Sequence, residues 1–207
     1  MEIERQFLND VVRPWDELNA LLALPFAYHP GVSVVTTKAN AIAVALKHTA
    51  ENTGRNMRSV NRESCANSMI SDVADAWKHG GDKLTNKARH NSMVVSAMIE
   101  VEANGLQRFI RNVVIIDHAT FGKQDFMFAA RDAIRYWVTQ FGMNINWAGH
   151  IVESAALPEN HIKLFYDGRK MIGMDAVRIQ CVERTDSGLL VEAVPQADVS
   201  VGVYECP

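Results

Sequence analysis

The sequence predicts an α+β fold, with N-terminal helices, a central antiparallel hairpin with a packed helix, and a strand-rich C-terminal meander. Two observations carry this prediction. Apolar residues recur every three or four positions in the first part of the chain, and then they alternate with polar ones. An Asn-Gly pair divides the alternating stretch, and such a pair is the strongest short-range sign of a hairpin.

The first two helices follow from apolar periodicity and from the residues that break it. Residues 5 to 24 carry a single apolar stripe that stops at Pro25, which predicts an amphipathic helix. A second helix is expected from about 33 to 52, with Gly54 just beyond its end. The polar, basic stretch from 54 to 64 is expected to be a connection.

A third helix is predicted to end at Gly80-Gly81. Its apolar residues at steps of four are Cys65, Met69, Val73 and Trp77. The tryptophans of the chain fall mainly on apolar stripes, which predicts that they belong to the core: Trp15, Trp77, Trp137 and Trp147.

The hairpin is centred on Asn104-Gly105. A two-residue loop at this pair predicts three cross-strand contacts on one face: Ile99 with Ile110, Val95 with Val114, and Met93 with Ile116. A fourth helix should start at Asp125, whose carboxylate suits an N-cap, and should close at Gly142.

The last fifty or so residues read as short strands separated by turns, which predicts an antiparallel meander. The strands expected are IKLFY, AVRIQCVE, LLVEAV and VSVGVYE. Two units are therefore expected: a helical plus hairpin domain over residues 1–147, and an antiparallel strand-rich extension over 148–207 that packs on it.

Composition limits the class of protein. The chain of 207 residues is 48% hydrophobic and 22% charged, with three widely spaced cysteines and no long apolar run. This composition is typical of a globular protein, and it predicts no disulfide framework, no membrane segment and a cytoplasmic location. The net charge is −3, but residues 55 to 90 hold seven basic against four acidic groups. This basic middle is either an anion-binding surface or a segment that faces acidic parts of the fold.

Candidate chemistry concentrates at the end of the third helix, in SDVADAWKHGG. Asp72, Asp75 and His79 are spaced three and four apart, so they share a helix face. A carboxylate beside an imidazole orients it as a general base, which makes His79, Asp75 and Lys78 the candidate catalytic residues. The alternative is structural, because basic side chains also stabilise the negative end of a helix dipole.

Further candidates surround this helix end. Arg89 and His90 follow one loop later, and with Asp72 they are the candidate ligand-binding residues. Cations that converge on a histidine suit phosphodiester chemistry, although KARH is also typical of a solvated loop. Asp117 and His118 are neighbours at the end of a strand, so their side chains should point to opposite faces. No motif or spacing predicts a metal site or a cofactor.

The helix end also resembles a group of uncharacterised bacterial and phage-borne proteins, which share a helix ending in D-x-[AG]-[ND]-x-x-K-H. The resemblance covers roughly residues 61 to 142, and it implies no activity. A looser similarity is to HEPN-type helical ribonucleases, whose polar helix bears R-x(4–6)-H. This chain departs from that motif, because neither His79 nor His90 has an arginine at the required spacing.

Binding is favoured over catalysis, because no complete catalytic set is readable in the chain. The expected function is binding of a small anionic ligand, a nucleic acid or a protein partner, in the setting of a phage–host conflict. One alternative is a metal-independent ribonuclease or nucleotide-processing enzyme with His79 as acid and base. Another is a structural component of an assembly. The candidate partners are a nucleotide or RNA and further copies of the chain.

Overall fold

The N-terminal part of the protein is helical, as predicted, in a computed structural model that describes residues 2–79, 90–170, 176–194 and 198–206. The helices are α1 (Glu2–Phe7), α2 (Arg13–Leu22), α3 (Val34–Asn52), α4 (Met57–Glu63), α5 (Cys65–His79) and, later in the chain, α6 (Phe126–Phe141). No helix in these described ranges combines the length and the apolar character needed to cross a bilayer.

Helices α1 and α2 form one continuous rod, joined by a π-helical turn at Leu8–Val12. The turn has a cause in the sequence. Pro14 has no N–H to donate, and its ring would collide with the carbonyl four residues earlier in a regular α-helix. The N–H of Arg13 donates instead to the carbonyl of Leu8, five residues back, so the chain passes Pro14 without breaking the helix.

The prediction for the second helix is confirmed, and one helix was missed. A capping box starts α3, since Ser33 and Thr36 each accept the other's backbone N–H, at 3.3 and 3.1 Å. The expected connection between α3 and α5 contains the short helix α4. Asn56 begins it by accepting the N–H of Arg58 at 2.9 Å, and Val60 is buried beneath it.

The prediction that Trp77 of α5 belongs to the core is wrong. Met69 and Val73 are buried, whereas Cys65 is exposed and Trp77 is 54% exposed. A step of four residues turns the helix by about 400°, so each step drifts about 40° around the axis. Over the whole helix the series leaves the buried face, and Trp77 emerges beside Lys78 and His79.

The strands form two sheets. They are β1 (His90–Val101), β2 (Gln107–His118), β3 (Gly122–Asp125), β4 (Ile162–Tyr166), β5 (Ile179–Arg184), β6 (Leu190–Glu192) and β7 (Val201–Glu205). The main sheet has the order β3-β2-β1-β5-β6, and β4 pairs with β7 in a second, two-stranded sheet. Together with the helices, these sheets confirm the α+β class.

The central hairpin is confirmed, with one change of register. Val95 pairs with Val114, and Met93 pairs with Ile116, as predicted. The loop has three residues instead of two, because Glu102 donates to Leu106 at 2.8 Å and Gly105 adopts a φ of +83°. A bulge at Ile110 compensates, so the predicted pair of Ile99 with Ile110 is wrong and Ile99 pairs with Phe109.

Helix α6 begins and ends where predicted. The carboxylate of Asp125 accepts the N–H of Met127 at 2.8 Å, and Gly142 closes the helix with a φ of +60°.

The strands of the tail exist, but the predicted antiparallel meander is wrong. Only β5 and β6 form a hairpin, across the turn that contains Gly188. Strand β5 pairs in parallel with β1, and β4 pairs in parallel with β7. Turn residues such as Asp167-Gly168 show that the chain changes direction, but they do not determine which strand becomes the neighbour. One part of the tail, β5 and β6, therefore extends the sheet of the hairpin, and the other part forms the second sheet.

The two faces of the main sheet differ. Alternate residues of the hairpin, such as Val95, Val114 and Ile116, join the helical core around Trp15 and Trp137. Further along the same hairpin, Ala97, Ile99 and Phe109 pack on β4. Among the described elements no helix lies over the opposite face, and this open face is where the candidate site lies.

Candidate functional site

Asp72 of α5 binds His118, the last residue of β2. The imidazole Nε2 lies 3.2 Å from the Asp72 carboxylate, and Nδ1 accepts the N–H groups of Thr120 and Phe121, at 3.0 and 3.3 Å. Because Nδ1 accepts, the ring proton lies on Nε2 and is donated to Asp72. The His118 side chain is 0% exposed. Asp72, a predicted ligand-binding residue, therefore ties α5 to the sheet.

Asp75 pairs with Lys47 of α3 and not with His79. The expectation that Asp75 orients His79 is therefore corrected. The helical spacing places Asp75 and His79 near one face of α5. However, α3 packs against this helix, and its Lys47 brings a full positive charge to Asp75. A carboxylate interacts more strongly with an ammonium group than with a neutral imidazole.

Lys78 also turns toward α3. Its ammonium nitrogen lies 2.9 Å from His48 Nε2, and His48 Nδ1 lies 2.5 Å from the Glu51 carboxylate. An ammonium group only donates, so Nε2 accepts and the imidazole proton is shared with Glu51. The arrangement is a chain of ammonium, imidazole and carboxylate at the ends of two helices.

His79 is exposed, and no hydrogen bond or ion pair reaches it from any described residue. Of the other predicted residues, His90 starts β1 opposite His118, and Arg89 lies outside the described residues. Asp72, Asp75 and Lys78 thus contact β2 and α3 instead of converging on His79. Their catalytic or binding roles stay predictions.

A groove of about 840 Å³ lies on the open face of the main sheet. Its floor is formed by alternate residues of the hairpin, the ones that point away from the helices. The apolar lining includes Val94, Met98, Val113, Ile115, Phe128 and Ile151, together with side chains of the β5–β6 hairpin. Ser92 and Ser96 add hydroxyl groups to the floor, and the β5–β6 hairpin forms one wall.

One charged pair lies on the β2–β3 side of the groove. Arg111 is buried and forms an ion pair with Asp125, the N-cap residue of α6. Its guanidinium also lies 5.7 Å from the ring centre of Phe128, and Arg131 lies 4.8 Å from the same ring. Phe128 is 42% exposed, so an aromatic surface flanked by cations is open to a ligand at the mouth of the groove.

A network of two arginines and two glutamates closes the other end. Glu100 accepts from Arg108 at 2.6 and 2.9 Å and from Arg184 at 2.8 Å, and Glu153 lies within 3.4 Å of both arginines. Burial acts to raise the pKa of Glu100, but the hydrogen bonds from Arg184 and Arg108 outweigh it and hold the pKa below its usual value. Both arginines are thus neutralised within the protein.

Two cations of the lining have no such partner among the described residues: Arg178 and Lys123. The backbone at Arg178 is fixed, because its carbonyl accepts from the Ala97 N–H at 2.8 Å and from the Ser96 hydroxyl at 3.3 Å. Lys123 stands on β3 directly opposite Asp117, which offsets its charge. Cys181 lies in the same wall as Arg178, and burial raises the pKa of its thiol.

The sequence contained a signal for the groove that motif reasoning did not use. On β1 and β2 the positions that face away from the core include Val94, Met98, Val113 and Ile115. Apolar residues on both faces of a hairpin are typical of a sheet that is covered on both sides. Where the described helices cover only one side, such residues mark a surface that a ligand can bury.

Comparison of the chain with protein-family models, with curated proteins and with solved structures found no match. The resemblance to the D-x-A-D-x-x-K-H proteins stays a prediction.

Proposed function

We propose that the protein binds a small anionic ligand with an apolar body, in the groove on the open face of the main sheet. The observation that supports this proposal is the combination of an accessible apolar floor with an arginine that has no ion-pair partner among the described residues. Val94, Met98 and Ile115 of this floor are apolar and only partly buried, whereas Arg178 at its edge has no partner among the described residues.

The apolar floor supplies the affinity. A volume of about 840 Å³ lies within the range of pockets that hold small molecules. Each 100 Å² of apolar surface that a ligand and the floor remove from water stabilises the complex by about 2.5 kcal/mol. Met98 and Val94, which are half-buried at the centre of β1, contribute most directly because they project into the groove.

Arg178, which has no ion-pair partner among the described residues, favours a ligand with a negative charge. Arg111 and Arg184 carry their counter-charges with them, so they add no net attraction for an anion. Glu192 also lines the groove, but it pairs with Val182, about 13 Å further along β5 than Arg178. Among the described residues the charge next to Arg178 is therefore positive, and a carboxylate, sulfonate or phosphate group would form a charge-assisted hydrogen bond there.

A fluorescent apolar anion, 8-anilinonaphthalene-1-sulfonate, tests the proposal. We expect saturable binding to the folded protein, with an increase in emission. Met98→Asp should abolish this binding, because it places a carboxylate in the floor. Arg178→Gln should weaken it by about tenfold, which corresponds to about 1.4 kcal/mol.

Arg62→Gln is the matched control, since Arg62 is an exposed arginine on α4 away from the groove lining. Equal affinity of the wild type, Arg178→Gln and Met98→Asp would overturn the proposal. Equal weakening by Arg62→Gln and Arg178→Gln would mean that only the net charge matters. Circular dichroism and a melting curve for each variant separate loss of binding from loss of the fold.

A further inference from the structure

A second cluster of reactive side chains lies on the two-stranded sheet of β4 and β7. His161 immediately precedes β4, Ser200 immediately precedes β7, and Tyr204 lies within β7. Ser200 Oγ is 2.7 Å from His161 Nδ1, and His161 Nε2 is 3.3 Å from the Tyr204 hydroxyl. None of these three residues belongs to the lining of the groove.

The contacts of both ring nitrogens of His161 indicate that its imidazole acts as a base toward Ser200. A neutral imidazole has one donor and one acceptor nitrogen. When Nε2–H donates to the Tyr204 hydroxyl, Nδ1 is left to accept the Ser200 proton. A hydroxyl whose proton points at a base, with the base held by a third group, is the arrangement of an activated nucleophile.

Gly202 makes this arrangement possible. Residues 200, 202 and 204 are two apart, so they lie on the same face of β7, and the His161 imidazole lies over residue 202. A Cβ at residue 202 would stand 2.8 Å from His161 Nε2 and 2.7 Å from the Tyr204 hydroxyl, which is closer than real Cβ contacts allow. Glycine weakens a strand, so its presence here serves the contact between the imidazole and the phenol.

The backbone N–H of Val201 lies next to Ser200 and is a candidate hydrogen-bond donor. The carbonyl of Ser200 accepts the N–H of Ile162 on β4, and the carbonyl of Tyr166 accepts the N–H of Cys206. Alternate residues of a strand present their backbone groups to opposite sides, so the N–H of Val201 points away from β4. No strand of the described chain pairs with that edge of β7. The Val201 N–H directly follows the serine and has no acceptor among the described residues, so it is placed to bind a developing oxyanion.

We propose that Ser200 is a nucleophile that attacks activated esters, with His161 as the general base and Tyr204 as its positioning residue. The serine oxygen forms a bond to the carbonyl carbon, and its proton passes to His161 Nδ1. The ester bond then breaks, and the leaving oxygen departs with that proton. Water hydrolyses the acyl-serine by the same route. This proposal is independent of ligand binding in the groove.

A fluorophosphonate probe tests the nucleophile directly. Its phosphorus forms a bond to Ser200 Oγ, the phosphorus–fluorine bond breaks, and fluoride leaves while His161 takes the proton. We expect mass spectrometry of the labelled full chain to find the probe on Ser200. Ser187 is the internal control, because it is an exposed serine whose hydroxyl contacts only Thr185, at 2.8 Å, among the described side chains.

The variants give each residue its own outcome. Ser200→Ala should remove the label, and His161→Gln should slow labelling by about 100-fold. Gly202→Ala should slow it as well, since the added methyl displaces the imidazole, while Tyr204→Phe should have a smaller effect. Arg62→Gln should leave the rate unchanged. Labelling of Ser200 no faster than that of Ser187, or an unchanged rate in His161→Gln with the fold intact, would overturn the proposal.

Discussion

The end of α5 and the open face of the main sheet carry similar kinds of side chain, but they use them differently. At the end of α5, Asp72, Asp75 and Lys78 each contact a side chain of another element. In the groove, Arg111 and Arg184 are paired in the same way, whereas Arg178 meets an apolar floor with no partner among the described residues. In the first region the charged side chains connect elements of the fold. In the second region the Arg178 guanidinium remains available to a ligand.

This difference shows why a motif of charged residues is weak support for a site. Charged side chains that are close in sequence are equally close to whatever packs on their helix. At α5 the neighbour is α3, which brings Lys47 and His48. A residue's availability depends on partners that are distant in sequence, and only the tertiary structure provides them.

The largest expected effect comes from the network that closes the groove. Glu100→Gln leaves Arg108 and Arg184 around an uncharged side chain, and we expect it to lower the free energy of unfolding by about 3 kcal/mol. Urea unfolding followed by circular dichroism measures this. Because the network holds the wall formed by β5 and β6, the variant should also bind the fluorescent sulfonate less tightly.

Glu102→Gln is the control for this change. Glu102 is half-buried next to the hairpin loop and its carboxylate contacts only the exposed Asn104 amide among the described residues, at 3.1 Å, so its loss should change stability by less than about 0.5 kcal/mol. Similar losses in both variants would show that the Glu100 network contributes no more than a carboxylate without an ion pair does.

The next effect tests the structural role assigned to the end of α5. Asp72→Ala removes the acceptor of a buried imidazole, and we expect a loss of about 2 kcal/mol in the free energy of unfolding. Asp72→Asn keeps an acceptor oxygen and should lose less. Asp132→Ala, which removes an exposed carboxylate from α6, should cost below about 1 kcal/mol. If Asp72→Ala costs no more than Asp132→Ala, the Asp72–His118 contact is not structural.

Much of the fold could be predicted, because it depends on local patterns. Asp125 and Gly142 delimit α6 from the chemistry of helix ends alone, and the pairing of Val95 with Val114 follows from alternation around a turn. The parallel pairing of β5 with β1 could not be predicted in this way. The two strands are about eighty residues apart in the chain. The sequence of a short strand does not indicate which other strand it pairs with.

The site was less predictable than the fold. The helix end drew attention because its ionisable residues are neighbours in the sequence. The groove is assembled from several strands and from α6, and Arg178, which has no partner among the described residues, stands just before β5 without any motif around it. Only the side-by-side placement of β1, β2 and β5 brings the apolar floor to this arginine.

A smaller effect concerns acid. A carboxyl group with a lower pKa in the folded protein than in the unfolded chain contributes stability at neutral pH, and the contribution is lost as the pH falls through the range where that carboxyl is protonated. This applies to Glu100, and also to Asp167, whose pKa the hydrogen bonds of Arg169 lower to about 2. Wild-type stability should therefore decline between pH 7 and pH 3.

The comparison with Glu100→Gln isolates one of these groups. A protonated Glu100 resembles glutamine, so the stability difference between the wild type and Glu100→Gln should shrink as the pH falls. Asp167 is present in both proteins and cancels. Melting curves of the two proteins at pH 7, 5, 4 and 3 measure the difference, and a gap that stays constant would contradict the role assigned to Glu100.

The smallest effects are expected at the tip of α5, where the sequence placed its catalytic candidates. Lys78→Ala removes an exposed contact with His48 and should cost about 0.5 kcal/mol, and His79→Ala should cost still less. We expect both variants to bind the fluorescent sulfonate as the wild type does, in contrast to Arg178→Gln. A mixed pool of RNA and nucleotides, incubated with the wild type and with His79→Ala, tests the alternative reading. If the wild type cleaves the pool and His79→Ala does not, the exposed imidazole is functional after all, and its lack of a partner among the described residues is the same kind of availability that we assign to Arg178.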